Sequence, residues 1–584
     1  MTDPVRIANC SGFFGDRMSA AKEMVEGGPI DFLTGDWLAE LTMLILARTQ
    51  AKKPGAGYAR TFVTQMEEVM GTCLDKGIKV VTNAGGLDPD NCAEAVAQVA
   101  QKLGLNPKIA YVQGDNLMPR MADLLASDQL RHFETGEPIK EASFLTANAY
   151  FGCWGIVDAL EQGADIVITG RTTDAAVVCG PAAWHHKWAR DDWNALAGAV
   201  TAGHVIECGT QATGGNYSFF TEVPGMVRTG FPWAEVAADG SSVIGKHDGT
   251  GGEVSIGTVT SQLLYEIGGP EYLGPDVTTR FDTIELEQVG KDRVRMHGIQ
   301  GEPPPSTLKV CINRSGGFRN DVNICLTGLD IEAKAALIEE AFWSSSRYQP
   351  EDYAQATTRL MRTDCEDPAS NEEAVAILKI SVKDPDQAKV GRAFSNGIGD
   401  LALATIPGFF GVGGGPGNGR PFGVYEPACI SAATVPQEVV LLGGDPRTVS
   451  SVIPPAEVSV TPTPGPRVEA PGGPTRRVPL GAIYGSRSGD KGGNANLGVF
   501  ARSDEAWAWL DGFLSTEKLK ELLPETVAMQ VDRHPLPALR SVNFLIHGLL
   551  EEGVAASTRQ DGQAKSLGEW LRARVVDIPE ALLP

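Results

Sequence analysis

The chain of 584 residues is poor in basic side chains and lacks long apolar runs. Lysine and arginine number 50 against 73 aspartates and glutamates, so the formal net charge is −23. Nucleic acids and anionic membrane surfaces repel such a chain, because both are negatively charged. No apolar stretch reaches the roughly 18 residues that a membrane-spanning helix needs. We therefore expect a small-molecule partner, with no nucleic acid and no membrane.

Cysteine patterns typical of disulfide scaffolds or zinc sites are also missing. The ten cysteines contain no C-x-x-C pair and show no zinc spacing with histidine. We therefore expect reduced cysteines and no metal site. The beginning of the sequence lacks a basic stretch followed by an apolar run, which favours a cytoplasmic location without a signal peptide. No G-x-G-x-x-G follows the first predicted strand, so no dinucleotide cofactor is indicated.

Proline marks the clearest domain boundary. Residues 454–474 contain seven prolines in 21 positions, a density that blocks helices and central strands. We predict a linker over residues 454–476. It separates a body of residues 1–453, with a further subdivision near residues 200–250, from a tail of residues 477–584.

Short apolar runs alternate with helical patterns in the first 200 residues. The runs cover residues 5–8, 30–33, 78–82, 109–112 and 166–169. Each precedes a polar loop and an amphipathic stretch, which predicts βα units and a parallel sheet. The loops FFGDR, TGDW, TNAGG, QGDN and TGRTTD then gather at the carboxyl ends of the strands, where such sheets bind ligands. The body is therefore predicted to be α/β, with one shared crevice.

The later sequence predicts a mixed second subdomain and a small α+β tail. In the subdomain, residues 282–286, 293–297 and 308–312 are predicted as consecutive antiparallel strands, and residues 331–343 and 371–378 as helices. In the tail we predict a strand (478–484), a glycine-rich loop (485–496), a strand (495–500) and helices over 504–514 and near 542–551. Helices on a small antiparallel sheet favour a ferredoxin-like layout.

Five residues in the strand-end loops are candidates for catalysis. Arg171 follows a buried strand, where a cation suits a carboxylate or phosphate, and Asp174 is placed to orient it. Asp16 with Arg17 is either an ion pair or a base with its orienting partner. Asn83 is placed to donate to a thioester or carboxylate oxygen. Ordinary turn and helix-cap chemistry is the alternative for all of them.

Glycine-rich segments supply candidate ligand-binding residues. The segment KHDGTGG runs into an apolar helical stretch, and GSRSGDKGGNAN combines glycine with cations. Glycine lets the backbone approach a ligand, and free N–H groups at a helix start favour anions. Ordinary turns are the competing interpretation. The candidates are Lys246, His247, Gly251, Gly252, Arg487 and Lys491, with Asn116 from the QGDN loop.

A separate cluster suggests other chemistry. His204, Glu207 and Cys208 lie close together in GHVIECG. These residue types occur in nucleophilic and metal sites, although no second histidine cluster accompanies them. A structural role is the alternative.

Long segments of the chain resemble the acyclic terpene utilisation family of AtuA-type proteins. The matching segments are RIANCSGFFGDR, IDFLTGDWLAELTM, VVTNAGG, DIVITGRTTDAA, GTGGEVSIGTVTSQLLYEI and GFRND. The tail segment GSRSGDKGGNANLG resembles the ferredoxin-fold domain that often follows that body. The resemblance implies breakdown of citronellol- and geraniol-like compounds through CoA thioesters. It carries over no catalytic residue.

These observations together predict an acyl-CoA or carboxylate hydratase or lyase. That chemistry needs an acid/base group, assigned to Asp16, and oxyanion donors, assigned to Asn83 and nearby backbone N–H groups. Arg171 would hold a carboxylate, and Lys246 with Gly251 and Gly252 would meet phosphates. No separate cofactor is expected, since CoA belongs to the substrate. A homo-oligomer is expected from the size and composition.

Two alternatives stay open. One is a hydrolase of a CoA thioester or related carboxyl derivative that uses His204, Glu207 or Cys208. The other is a non-catalytic accessory protein of an acyl-CoA carboxylase.

Overall fold

The computed structural model describes residues 3–412 and 417–584, which form two compact units. The first unit comprises the chain up to Asn313 together with Tyr425–Val554 and Gln563–Pro584. The second comprises Arg314–Val424 and Ala555–Gly562. All the candidate functional residues belong to the first unit.

The helices are α1 (Ala20–Gly27), α2 (Glu40–Lys52), α3 (Arg60–Lys76), α4 (Pro89–Leu103), α5 (Met121–Ala126), α6 (Trp154–Glu161), α7 (Ala176–His186), α8 (Trp193–Ile206), α9 (Ile256–Leu263), α10 (Ile331–Ser345), α11 (Gln387–Val390), α12 (Arg392–Leu401), α13 (Asp504–Phe513), α14 (Thr516–Leu522) and α15 (Leu567–Ala573).

The strands are β1 (Val5–Asn9), β2 (Phe32–Gly35), β3 (Lys79–Thr82), β4 (Ile109–Gln113), β5 (Arg131–His132), β6 (Phe144–Ala149), β7 (Ile166–Thr169), β8 (Pro232–Val236), β9 (Ser242–Lys246), β10 (Glu271–Leu273), β11 (Thr278–Arg280), β12 (Glu285–Gly290), β13 (Arg293–His297), β14 (Gln300–Glu302), β15 (Thr307–Thr327), β16 (Gln355–Met361), β17 (Val375–Asp384), β18 (Phe409–Gly411), β19 (Arg420–Ser431), β20 (Gln437–Leu441), β21 (Arg447–Val449), β22 (Thr475–Pro479), β23 (Gly485–Lys491), β24 (Asn494–Phe500), β25 (Val531–Leu536), β26 (Ser541–Ile546) and β27 (Val575–Pro579).

One mixed sheet dominates the first unit. Its strand order is β12-β13-β9-β8-β1-β2-β3-β7-β4-β20-β21. Five neighbouring strands are mutually parallel, in the order β1-β2-β3-β7-β4, which confirms the predicted α/β body. All four residues of β7 are buried, as expected for a β-branched strand covered on both faces.

The flank of this sheet departs in part from the sequence prediction. β12 and β13 pair antiparallel, as predicted for residues 282–286 and 293–297. Residues 308–312 were wrongly placed beside them, because they belong to β15, which pairs in another sheet. Alternation of apolar residues identifies a strand but not its partner.

Helices cover both faces of the parallel strands. On one face, α1, α3 and α4 pack apolar residues such as Met24, Phe62 and Val96 into one core. On the other, α6, α7 and α8 pack closely because they are rich in alanine and glycine. A Cβ on Gly203 of α8 would lie 2.8 Å from Ala175, so this approach requires glycine.

The tail forms an antiparallel sheet with strand order β23-β24-β26-β25, in line with the predicted ferredoxin-like layout. Its core includes apolar residues of α13, α14 and α15. Helix 504–514 is confirmed as α13. The helix predicted near residues 542–551 is wrong, since β26 occupies that segment. The predicted loop over residues 485–496 is instead the hairpin of β23 and β24.

The second unit is an antiparallel sheet covered by helices. β17 pairs with residues Phe318–Thr327 of β15 on one side and with β16 on the other. The core between this sheet, α10 and α12 contains Ile324, Phe342 and Phe394. Residues 331–343 form α10 as predicted, whereas the helix predicted over 371–378 is a short turn followed by β17.

Residues 454–474 contain no helix or strand, in keeping with their proline content. The domain boundaries drawn there stay predictions. No helix of the described residues is both long and apolar enough to cross a membrane.

Candidate active site

Polar residues follow the carboxyl ends of four neighbouring parallel strands. The loops after β2, β3, β4 and β7 carry Asp36, Asn83, Asp115 and Arg171, each at most 5% exposed. Since these strands are adjacent in the order β2-β3-β7-β4, their loops lie side by side. The structure therefore brings Asn83 and Arg171, both predicted site residues, to one edge of the sheet.

Hydrogen bonds fix these loops against one another. Asn83 donates through Nδ2 to Asp36 Oδ1 at 2.5 Å. Asp115 accepts from the backbone N–H of Arg171 at 3.0 Å. The amide of Asn83 thus positions the Asp36 carboxyl, and Asp115 positions the backbone from which the Arg171 side chain extends.

Arg171 is a buried cation whose guanidinium keeps an unsatisfied donor. Its Nη1 donates to Asp174 Oδ1 at 2.7 Å and to the carbonyl of Thr172 at 2.8 Å. The guanidinium carbon lies 4.1 Å from the centroid of the Tyr150 ring. Its Nε is buried without a hydrogen-bond acceptor among the described residues. A buried donor without a partner is costly, so this atom is suited to meet a ligand oxygen.

A second ion pair lies beside Arg171. Tyr150 donates its hydroxyl to Glu40 Oε1 at 2.7 Å, and Lys309 Nζ lies 3.4 Å from the same oxygen. Burial opposes ionisation of Glu40, but the charges of Lys309 and Arg171 lower its pKa to about 2. The Glu40 and Lys309 side chains each remain 32% exposed. The group therefore borders space that solvent can reach.

Three carboxyl groups near Arg171 behave differently from Glu40. Burial raises the pKa of Asp36, Asp174 and Glu207. Repulsion from Asp174 raises the pKa of Asp36 and of Glu207 further. Glu207 follows α8, whose end is held by Asn9 Nδ2 donating to the Glu207 carbonyl at 3.0 Å. Glu207 Oε2 is buried without a hydrogen-bond partner in the described part of the chain. Asp36 and Glu207 therefore retain protons at a pH where ordinary carboxyls have lost them.

The histidine and cysteine of this region are not activated as nucleophile and base. His204 Nδ1 lies 3.3 Å from Glu207 Oε1, and its ring packs 5.1 Å from the Tyr272 ring. Burial and the charge of Lys491 lower the pKa of His204 to about 4. Burial and Glu207 raise the pKa of the Cys208 thiol well above its ordinary value. A reactive cysteine needs the opposite shift.

The hairpin of β23 and β24 borders the same region. Lys491 Nζ donates to the carbonyl of Glu266 at 2.8 Å, and the Arg487 guanidinium lies 4.1 Å from the Tyr265 ring. Lys565 pairs with the Glu266 carboxylate at 3.3 Å. Arg487 and Lys565 also line a cavity of about 330 Å³. The structure thus brings the predicted residues Arg487 and Lys491 to this part of the site.

Asp16 and Arg17 lie in the loop after β1 and are engaged locally. The Asp16 carboxylate accepts from the backbone N–H groups of Gly12 at 2.9 Å and Arg17 at 2.7 Å. Arg17 Nη2 donates to Glu23 at 2.7 Å and to the Thr229 carbonyl at 2.8 Å. These contacts shape the loop and are separate from the ion pairs around Arg171.

Lys246 and His247 are also engaged within the fold. Lys246 is 4% exposed; its Nζ donates to the Thr250 carbonyl at 2.8 Å and lies 3.3 Å from Asp292. His247 Nε2 lies 2.9 Å from the carbonyl of Met24. Neither residue is brought to the Arg171 region by a contact.

The glycines of that segment are explained by close packing. A Cβ on Gly251 would lie 2.3 Å from the Gly225 carbonyl oxygen, and one on Gly252 would lie 2.4 Å from that of Thr213. Gly252 also has a φ of +85°, which favours glycine. Asn116 accepts from a backbone N–H two residues later at 3.0 Å, which is ordinary turn geometry.

Sequence reasoning missed several members of the cluster. Asp36 lies in the TGDW loop, so its position after β2 was a usable signal. Glu40, Tyr150, Lys309 and Glu266 carry no comparable signal, because only the tertiary fold brings them together.

A possible metal-binding group lies elsewhere. Among the described residues, Cys153, Cys179 and Asp276 are buried, with ligand atoms within 4.8 Å of one another. Asp276 already accepts from the backbone N–H of Cys153 through both oxygens, at 3.0 and 2.9 Å. Burial raises the pKa of Cys153 and favours its protonated form. The expected absence of a metal stays a prediction.

The fold and site define an α/β protein with a buried acid–base cluster and a ferredoxin-like tail. Residues 5–441 match the model of the acyclic terpene utilisation family protein AtuA, and residues 478–577 match the AtuA ferredoxin-like domain. The chain belongs to this acyclic terpene utilisation family. Searches of the curated proteins and of the solved structures find no significant match.

Proposed function

We propose that this protein is a hydratase or lyase acting on an acyl-CoA thioester or related carboxylate in acyclic terpene or branched-chain catabolism. One observation carries the proposal. The unsatisfied Nε of Arg171 lies in a cluster with Asp36 and Glu207, whose pKa values are raised. One place therefore offers both a hydrogen-bond donor for an oxyanion and a carboxyl group that can donate a proton.

Dehydration of a 3-hydroxyacyl compound requires two proton transfers. A base removes a proton from the carbon next to the carbonyl, and an acid protonates the departing hydroxyl so that water leaves. In the reverse direction the same two groups add water across the double bond. Asp36 and Glu207 repel each other when both are ionised, so one of them keeps its proton as the acid while the other, once ionised, acts as the base.

Arg171 takes the electrostatic role. As a proton leaves the carbon, negative charge develops on the carbonyl or carboxylate oxygen. The guanidinium stabilises that charge, since its position is already fixed by Asp174 and Tyr150. The cavity beside Arg487 and Lys565 has room for other parts of a substrate. The protein needs no further cofactor for this chemistry, with CoA carried by the substrate.

The assignment differs from the one made from sequence in its acid–base residue. Asp16 uses both carboxylate oxygens to hold its own loop, which supports placing the acid–base role on Glu207 and Asp36 instead. The neutral His204 and the protonated Cys208 give little support to a nucleophilic hydrolase.

The test incubates the purified protein with branched enoyl- and hydroxyacyl-CoA thioesters and follows them by mass spectrometry. We expect gain or loss of water, with turnover falling at least about 100-fold in Arg171→Lys and in Glu207→Gln. Arg502→Lys is the matched control, because Arg502 forms an exposed ion pair with Glu222.

One outcome contradicts the assignment of the acid–base residue, and another contradicts the proposed activity. Loss of turnover in Asp16→Asn with full turnover in Glu207→Gln would return the acid–base role to Asp16. Unchanged thioesters that nonetheless raise the melting temperature would indicate a binding or accessory protein.

A further inference from the structure

The tail presents a polar hairpin to the body at the candidate site. Asn496 accepts through Oδ1 from the backbone N–H of Glu266 at 2.8 Å and donates through Nδ2 to the carbonyl of Leu264 at 2.8 Å. Asn494 Nδ2 donates to Glu134 at 2.8 Å. These bonds fix the turn of the hairpin, and with it Lys491, against the body.

Lys491 differs from Arg171 and Lys309, two cations of the cluster that have a carboxylate partner. Arg171 pairs with Asp174, and Lys309 pairs with Glu40. Lys491 Nζ has a single acceptor, the neutral carbonyl of Glu266, and no carboxylate of the described residues lies within 4.0 Å of it. It is half-buried, so the ammonium is shielded from bulk water while some of its surface remains accessible.

The surroundings of Lys491 favour an anion from outside the protein. Burial and the charge of Lys309 lower the pKa of Lys491, whereas Glu266, Glu40 and Glu207 raise it only from a distance. A desolvated ammonium without a direct counter-ion is unfavourable unless a ligand provides one. The structure around Lys491 therefore has the charge, access and open hydrogen-bonding capacity of an anion site.

We infer that Lys491 binds a carboxylate group of the ligand, so that the ferredoxin-like domain supplies a binding residue to the site of the body. That this ligand is the substrate of an enzyme rests on the proposed function, but the binding of a carboxylate does not. Lys491 would hold a carboxylate while Arg171 meets the oxygen that gains charge. The ligand class is then an organic acid, either free or as a second acidic group on a thioester.

Binding is tested on the full chain with succinate and acetate as probes, using calorimetry and thermal unfolding. Phosphate and chloride at equal ionic strength are the comparison anions. We expect succinate to raise the melting temperature of the unaltered protein, and its Kd to weaken at least about tenfold in Lys491→Met. Lys491→Arg should retain part of the binding, because it retains the charge.

Stability without ligand gives a second readout. Removal of an unpaired ammonium should leave the melting temperature of Lys491→Met unchanged or higher, whereas a purely structural lysine would lower it. Lys518→Met is the matched control, since Lys518 lies on α14 of the same domain and pairs with Glu521 on the surface, at 2.8 Å. It should bind succinate like the unaltered protein.

Three results would overturn the inference: equal succinate binding by Lys491→Met, no binding of either carboxylate by the unaltered protein, or binding of phosphate alone. Turnover of the thioester panel separates this inference from the proposed function. Carboxylate binding through Lys491 without any turnover would refute the hydratase or lyase and leave the anion site. Turnover with an unchanged KM in Lys491→Met would refute the anion site at Lys491 and leave the hydratase or lyase.

Discussion

Protonation of His204 should destabilise this protein in mildly acidic solution. The imidazole is 1% exposed and packs against Tyr272, and burial with the charge of Lys491 lowers its pKa from 6.5 to about 4. The folded state therefore binds this proton less readily than the unfolded chain does. The stability that the neutral His204 contributes is therefore complete above pH 6.5 and is lost as the pH falls toward 4.

The magnitude follows from the two pKa values. A shift of 2.5 units corresponds to a total loss of about 3 kcal/mol, of which about 1 kcal/mol falls between pH 7 and pH 5.5. The exposed fraction is so small that solvent screening calls for no reduction. The upper part of this window also avoids the pI near 4.9, where an acidic protein is least soluble.

Urea unfolding at pH 7 and pH 5.5 measures the effect in the unaltered protein and in His204→Gln. Glutamine does not titrate, so the variant should lose about 1 kcal/mol less than the unaltered protein over this interval, whatever its constant offset from lost packing. His297→Gln, on β13, controls for the removal of a histidine as such. Equal pH dependence in His204→Gln and the unaltered protein would refute the reasoning.

Three further predictions concern residues around the site. Cys208→Ser should change turnover of the thioester panel by less than about threefold, because the thiol is not activated; a loss of about 1,000-fold would support the hydrolase. Glu40→Gln should lower the free energy of unfolding by about 1–2 kcal/mol at pH 7 in urea titrations, a figure reduced for its partial exposure. That difference should fall to less than half by pH 3, because the contribution of the lowered Glu40 pKa is complete above 4.5 and is lost as the pH falls toward about 2; a constant difference would contradict the ion pair with Lys309. Gly12→Ala should destabilise by about 1–3 kcal/mol in the same assay, because its Cβ would lie 2.6 Å from the Cys208 backbone; unchanged stability would show that the loop shifts freely.

The parallel strands were predictable because their signal is local. β-branched runs followed by turn residues appear in the sequence itself, and they correctly place Asn83 and Arg171 at the ends of β3 and β7. Glu40 and Lys309 were not predictable in this way. They lie far apart in the chain, at the start of α2 and within β15. Only the fold brings Lys309 Nζ within 3.4 Å of Glu40 Oε1.

The hairpin of β23 and β24 shows why glycine misled the prediction of a loop. Only Gly492, with a φ of +64°, needs glycine for its backbone conformation. A Cβ on Gly489 would lie 2.5 Å from the Tyr265 ring, and one on Gly498 would lie 2.5 Å from Leu264. These two glycines allow strands to approach the end of α9 closely. Composition alone does not distinguish that role from a flexible loop.

The same contacts bear on how a ligand reaches the site. Asn496 and Asn543 are fully buried, and Asn543 Nδ2 donates to the Gly268 carbonyl at 2.5 Å across the junction between tail and body. Moving the tail away would break these hydrogen bonds. Each buried polar group left without a partner would cost about 1–3 kcal/mol of free energy. Entry by separation of the domains is therefore unfavourable. Neither asparagine lines the cavity beside Arg487 and Lys565, so a ligand can occupy that cavity while these hydrogen bonds stay intact.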